Sequence, residues 1–395
     1  MKLISFLAIS AIASLLIGQI IRIPFLGGVF TFMDISVFVF SFSSVFYFLF
    51  KKKSLKLSPK LSIFVLFFIV SAAASTLLSL NIFQPKEVLI SALFLFRFIL
   101  YFSVYISLYN LFKKNQVEKL LNIFLLTGAC FAAVGIFQFI FFPDLRFLAE
   151  FGWDPHYFRL VSTFIDPNFS GIFLVILTSI AFSFFLYRKK LRFLMYFFLF
   201  FTSTILTFSR SSYLALMAIL LIIGVLKSPK ISIVLIVLLL TLSLMIPKTR
   251  ERIEGALKLD ETASARFESW QKALKIIKKN YLFGVGFNTY RYAQRDYGFF
   301  SVDAPEGQHS GAGTDSSFLL ILATTGILGT FFYLLFFVSA VKLSFKKSSK
   351  NPVYLSAFAS LIALMIHSQF VNSLFFPPIM LTIWFFLSLL EIDAL

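Results

Sequence analysis

One cysteine in 395 residues leaves no partner for a disulfide and no Cys-based zinc site, and Cys130 sits inside an apolar run where packing is its simplest role. Histidine is almost as scarce. His156, His309 and His367 stand far apart, and none has a second His or a carboxylate at ligand spacing, so no metal and no cofactor is expected. Charge is thin: 14% of residues are Asp, Glu, Lys or Arg, against about 25% in an ordinary soluble domain. A nucleotide loop is missing too, since Gly284-Val-Gly286 follows no strand and belongs to no Walker pattern. No internal repeat, low-complexity tract or flexible linker interrupts the chain.

What fills the space is apolar. Hydrophobic residues make up 59% of the chain, Phe alone accounts for 57 positions, and the mean hydropathy is +0.91. Such a composition takes lipid as its solvent. The net charge of +18 would suggest nucleic-acid binding in a soluble domain. Here the basic residues form short clusters between apolar runs, which is a topology signal. Membrane lipid is therefore the expected surrounding, and nucleic acid is not an expected partner.

Crossing about 30 Å of hydrocarbon takes about 17–25 apolar residues. Runs near this length lie at 3–21, 29–50, 61–80, 88–112, 120–142, 169–187, 191–208, 212–226, 231–246, 316–341, 353–373 and 377–390. They predict an all-α, polytopic membrane helix bundle of about twelve transmembrane helices. The chain reads as a single membrane domain over 1–395, with the hydrophilic segment 247–315 as a large loop subdomain within it. Ala11-Ile12-Ala13 could pass for a cleavage site, but apolar character continues to Ile21, so a retained span is expected. Orientation follows from Lys and Arg in short loops. With the N-terminus inside, the inner loops hold 19 of them and the short outer segments 5. Both termini are thus expected in the cytoplasm of a multi-pass plasma (inner) membrane protein. Segment 247–315 then lies outside, its 11 basic residues notwithstanding, because long loops cross largely regardless of charge.

Four polar constellations interrupt the apolar text, and this topology puts all of them on the outer face. Arg159-Leu-Val-Ser-Thr-Phe-Ile-Asp-Pro-Asn168 reads as a turn before a span, with Asn168 near the helix start as a capping residue. In Thr207-Phe-Ser-Arg-Ser-Ser212, Arg210 joins two apolar helices without basic neighbours; it serves either as an interfacial anchor or as the ligand of an anion that offsets its desolvation. In the segment 264–279, Phe267, Trp270, Leu274 and Ile277 recur at helical spacing, predicting an amphipathic helix on the outer leaflet. Its lysines read as a solvated face, while Arg266 stands one turn before Trp270 and apart from them. Lastly, Asp315 opens a long apolar run, as an N-cap or as a functional carboxylate. Arg97, mid-span, is an intramembrane charge for which Asp34 is one possible partner, and a structural pair is the simpler reading.

Together these segments resemble the O-antigen ligase and polymerase superfamily of membrane glycosyltransferases. The resemblance rests on Arg159 with Ser-Thr-Phe and Asp166-Pro-Asn168, on Ser209-Arg210, and on Arg266 four residues before Trp270. Leu282-Phe-Gly-Val-Gly286 follows, then Asp315-Ser316 with Gly326 after a nine-residue spacer. It implies a GT-C-like bundle with a large outer loop and an outward active site that needs no metal. It implies a donor glycan on undecaprenyl pyrophosphate and a glycan or lipid-linked acceptor. Arg210 and Arg266 would then clamp the pyrophosphate, Arg159 would contact the donor more weakly, and Asp315 would act as base or acceptor positioner. Ligases of this family usually carry a His where Asp315 stands, which favours a polymerase; a ligase remains the alternative. His309, six residues earlier, is a rival for the base and a further substrate-binding candidate, its unperturbed pKa being about 6.5. A secondary transporter is the alternative from another class, although polarity here concentrates in outer loops and not at the midplane.

Overall fold

A computed structural model describes residues 2–25, 28–50, 56, 61–258, 260–300 and 313–394. In chain order the elements are α1 (Lys2–Ala13), β1 (Arg22–Phe25), β2 (Gly28–Thr31), α2 (Phe32–Phe50), α3 (Ser62–Leu78), α4 (Pro85–Leu111), α5 (Val117–Phe141), α6 (Pro167–Arg188), α7 (Leu191–Leu206), α8 (Arg210–Leu226) and α9 (Pro229–Met245). They continue with α10 (Pro247–Leu257), α11 (Glu261–Lys279), α12 (Tyr290–Asp296), α13 (Ser317–Phe345), α14 (Pro352–His367) and α15 (Pro377–Ala394). Among the described residues, six helical stretches are long and apolar enough to cross a membrane, those at Phe32–Phe50, Ser62–Asn81, Pro85–Leu111, Lys114–Phe141, Pro167–Arg188 and Ser317–Phe345. Several shorter apolar helices accompany them, among them α7, α8 and α14. The protein is an all-α, multi-pass membrane protein.

The first apolar run departs from expectation. Its helix stops at Ala13, and one 3-10 turn at Ser14–Leu16 leads into an antiparallel hairpin that pairs Arg22 with Thr31 and Ile23 with Phe30. Gly18 explains the stop. It adopts φ +56°, and a Cβ there would fall 2.6 Å from the Thr163 carbonyl oxygen. The neighbouring Gln19 N–H donates to that same carbonyl at 2.9 Å, so the chain is tied to the segment before α6 instead of running on as helix.

Helix α6 is the hub, buried along nearly its whole length against α7, α8 and α14. α3 packs on α13, and α4 packs on α15 and α2. The Arg97 guanidinium pairs with Asp34 at 3.1 Å, and the Tyr101 hydroxyl donates to the same carboxylate at 2.9 Å. Arg97 also donates to the Val29 carbonyl of the hairpin. This intramembrane charge thus joins α2, α4 and β2, where removing one partner would strand the other in a dry interior.

α13 is broken at Gly326 (φ +64°, ψ −168°), and the Leu282–Gly286 segment fills the break. Val285 and Gly286 donate to the carbonyls of Ala323 and Thr324 at 2.9 and 3.0 Å, and Ile327 donates back to Tyr281 at 2.8 Å. These bonds satisfy backbone groups that a broken helix would leave orphaned. A Cβ on Gly326 would sit 2.1 Å from the Leu282 oxygen, so backbone must yield. Gly326→Ala is expected to cost on the order of 3 kcal/mol or more, from backbone strain and overpacking together. Gly298 has a similar φ of +67° with nothing within 4 Å, so Gly298→Ala should lose only about 1–2 kcal/mol. Denaturant unfolding of the two purified variants checks the difference, and equal losses would refute the plug.

Candidate active site

Arg210 is placed by the start of α8. Ser209 is the N-cap, accepting from the Ser212 N–H, which makes Arg210 the first helical residue. A cation there meets the positive end of the helix dipole, so the position calls for an anion. Asp260 supplies one: Nη1 to Oδ2 is 3.1 Å and Nη2 to Oδ1 is 3.2 Å, a two-pronged fork. The Arg252 carbonyl at 3.2 Å and the Thr262 hydroxyl accept from the same guanidinium. Asp260 is also the N-cap of α11 through the Ala263 N–H. Burial pushes its carboxyl upward, but the hydrogen bonds from Ala263, Arg210 and Thr262 outweigh that and hold it below the ordinary range.

Arg159 lies at the opposite kind of helix end. Its guanidinium donates to the carbonyls of Thr207 (2.9 Å) and Phe208 (3.3 Å), just past α7, where a cation suits the dipole. Burial, with Arg252 adding repulsion, lowers its pKa to about 9. The cap of α6 is Asp166, not Asn168 as the sequence suggested: the Asp166 carboxylate accepts from the N–H groups of Asn168 (2.7 Å) and Phe169 (2.9 Å). Asn168 is freed for a side-chain relay. Ser209 donates to its Oδ1 at 2.8 Å, the Ser212 hydroxyl donates to Ser209 at 3.0 Å, and His367 bridges Ser212 (3.5 Å) and Ser373 (2.8 Å). His156 sits 4.0 Å from Asp166; burial, then the Arg159 charge, lowers its pKa to about 4, so it is neutral near pH 7.

The helix α11 brings Arg266 to Asp315. Its packed side, against α13, is Ala273, Ile276 and Ile277, while Phe267 and Leu274 are exposed. One turn after Arg266, the Ser269 hydroxyl accepts from the Asp315 N–H at 3.1 Å and the Trp270 indole donates to the Asp315 carbonyl at 3.1 Å. Both bonds fix the Asp315 backbone. The N-cap of α13 is Ser316, which accepts from the Leu319 N–H at 3.4 Å, so capping does not occupy the Asp315 carboxylate. Burial raises the Asp315 pKa above the ordinary carboxylate value, and the Arg266 charge and a Ser269 hydrogen bond oppose the rise. Burial lowers Arg266, with Asp315 opposing and Arg210 and Arg252 reinforcing.

Arg159, Arg210, Arg266 and Asp315 are therefore gathered in one electrostatic neighbourhood. His309 lies outside the described residues. Four participants went unnoticed in the sequence: Asp260, Ser269, Arg252 and Lys248. Asp260 carried a legible signal, an Asp just before an amphipathic helix. A cavity of about 200 Å³ between α4, α6, α13 and α15 is lined by Phe94, Phe98, Phe169, Phe376 and Met380, with Arg97 at its wall.

A comparison with curated proteins finds no match. Residues 195–334 match the family model described as O-antigen ligase. That stretch runs from α7 into α13 and holds Arg210, Asp260, Arg266 and Asp315, while Arg159 and Asp166 precede it. Its family comprises membrane enzymes of polysaccharide assembly that use lipid-linked glycans. Over residues 195–334 the chain is thus similar to the O-antigen ligase family, in support of the resemblance read from the sequence.

Proposed function

We propose that this protein is an inverting, metal-independent glycosyltransferase that moves a glycan from undecaprenyl pyrophosphate to a sugar hydroxyl, most simply as a polysaccharide polymerase. The observation that carries the reading is Asp315, free of capping duty, near Arg266 within a cluster of part-buried guanidiniums. Asp315 would take the proton of the acceptor hydroxyl while its oxygen attacks the anomeric carbon. The bond from that carbon to the pyrophosphate oxygen breaks on the far face, and its electron pair leaves with the pyrophosphate. Charge thereby grows on the leaving group, and guanidinium bonds that tighten with it stabilise the transition state more than the ground state. Four arginines at one place also repel a divalent cation, whose role they would take over. The largely apolar cavity between α4, α6, α13 and α15 suits the polyprenyl tail. Arg97, already paired with Asp34, has little to offer a transported ion.

Transfer is tested with purified protein, a defined undecaprenyl-pyrophosphate oligosaccharide and a chelator. A ladder of longer glycans, insensitive to the chelator, is expected. The ligase reading is favoured by the description of the matching family model. Transfer only to a lipid A-core acceptor would establish it over the polymerase, and loss of activity with the chelator would end the metal-free mechanism.

The reading places both termini in the cytoplasm, twelve spans in a GT-C-like bundle, and 247–315 outside as the loop subdomain of a single membrane domain. The bias of 19 basic residues to 5 supports it. A Cys introduced within 51–60 should resist an impermeant thiol reagent in intact cells, whereas one within 290–300 should react. The reverse labelling pattern would invert the topology and place the candidate site on the wrong side for an exported glycan.

A further inference from the structure

α10 is a charged helix, Pro-Lys-Thr-Arg-Glu-Arg-Ile-Glu-Gly-Ala-Leu, whose simplest sequence reading is a solvated surface. Its two arginines behave differently. Arg250 pairs with Glu254 at 2.8 Å on the exposed side. Arg252 turns inward with Lys248, one helical turn away. Lys248 donates to the carbonyls of Tyr157 and Phe158 beside Arg159, and the Arg252 carbonyl accepts from Arg210 at 3.2 Å. α10 therefore spans the distance between Arg159 and Arg210, with Arg252 between them.

Two of the clustered guanidiniums are already occupied: Arg159 by the carbonyls past α7, and Arg210 by Asp260. Arg252 and Arg266 are not, since no hydrogen bond or ion pair holds either guanidinium among the described residues, and the Arg252 Nε is buried without an acceptor. A buried cationic N–H that lacks an acceptor is costly, all the more beside like charges. Arg266, Arg210 and Arg252 repel one another at this place. Such an arrangement is relieved by an anion with several oxygens.

We propose that Arg252 is a further donor-binding residue, sharing with Arg266 the two phosphates of the polyprenyl pyrophosphate carrier. The inference rests on the pyrophosphate-donor reading above and deepens it. Two separate free forks match a diphosphate, whose oxygens spread over both phosphorus atoms, better than a monophosphate, which one fork satisfies. Arg210 remains latched to Asp260 until the diphosphate competes for it.

Binding by the full-length protein in nanodiscs tests this, with undecaprenyl pyrophosphate and undecaprenyl phosphate as probes and Arg252→Gln, Arg252→Lys, Arg266→Gln and Arg250→Gln as variants. For the diphosphate, Arg252→Gln is expected to weaken binding about 10–100-fold. Arg252→Lys should weaken it less, and Arg250→Gln should match wild type. The monophosphate should bind wild type more weakly and lose less on Arg252→Gln. Should Arg252→Gln fail to fold, Arg252→Lys decides, because wild-type affinity in it removes any need for a fork. If Arg266→Gln loses the diphosphate while Arg252→Gln holds it as wild type does, Arg252 is no ligand and the donor reading stands. If wild type binds neither probe, the donor reading falls and takes this inference with it.

Discussion

Arg266→Ala is expected to slow glycan transfer by about 10²–10³-fold, the usual loss when one preorganised donor to a developing oxyanion is removed. Arg266 has no hydrogen bond to break among the described residues, so the substitution disturbs little structure, and the loss should appear in kcat more than in folding. Lysine should recover only part, because a point charge cannot reproduce two parallel N–H bonds. The pH profile offers a second readout. Burial raises the Asp315 pKa and the Arg266 charge opposes that rise. A base works when deprotonated, so activity falls as pH drops through this raised value. Removing Arg266 deletes the opposing charge and raises the pKa further, moving the acid limb to higher pH. An unchanged limb with full activity would separate Arg266 from both the leaving group and the base. Arg210→Ala should reach a similar loss, but with an added cause: it strands the Asp260 carboxylate where the diphosphate must sit. The Arg210→Ala, Asp260→Ala pair should therefore be less impaired than Arg210→Ala alone, a coupling that independent sites would not produce.

Much of this arrangement was legible in the sequence alone, and for a physical reason. In a chain whose spans are almost purely apolar, an Arg or Asp at a span end is conspicuous, so Arg159, Arg210 and Asp315 stood out against the lipid-facing text, while Arg266 stood out by its place one turn before Trp270. What escaped notice was the polar detail within the hydrophilic stretch. Lys248, Arg250, Arg252 and Lys258 look alike as letters; only the packing of α10 turns Arg252 inward and leaves Arg250 in solvent. Neighbouring cap candidates were also ambiguous by one or two positions, and backbone geometry chose Asp166 over Asn168 and Ser316 over Asp315. The hairpin after α1 had no clear strand alternation, and its cause, the close approach of Gly18 to Thr163, is a tertiary contact. Conversely, Gly284, Gly286 and Gly326, read only as part of a motif, turn out to serve the fold, because they let one loop plug a broken helix.

Asp315→Asn is expected to abolish transfer while leaving the fold intact. The substitution keeps size and shape, and two backbone contacts hold this residue whatever its side chain: its N–H to Ser269 and its carbonyl to Trp270. Capping of α13 belongs to Ser316, so helix stability should hardly change. What disappears is the proton acceptor, and an amide is no substitute for a carboxylate whose pKa burial has raised toward a more useful base. Arg266 would lose its nearby counter-charge as well, so donor binding should hold or strengthen while turnover vanishes. That split, retained affinity for the lipid-linked donor with no product, distinguishes a missing base from a damaged site. Asp315→His should retain some activity, since imidazole can also accept a proton at neutral pH. His309→Gln should be nearly silent. If Asp315→Asn turns over normally and His309→Gln is inactive, the base lies at His309, and Asp315 serves only as a counter-ion that keeps Arg266 charged and oriented.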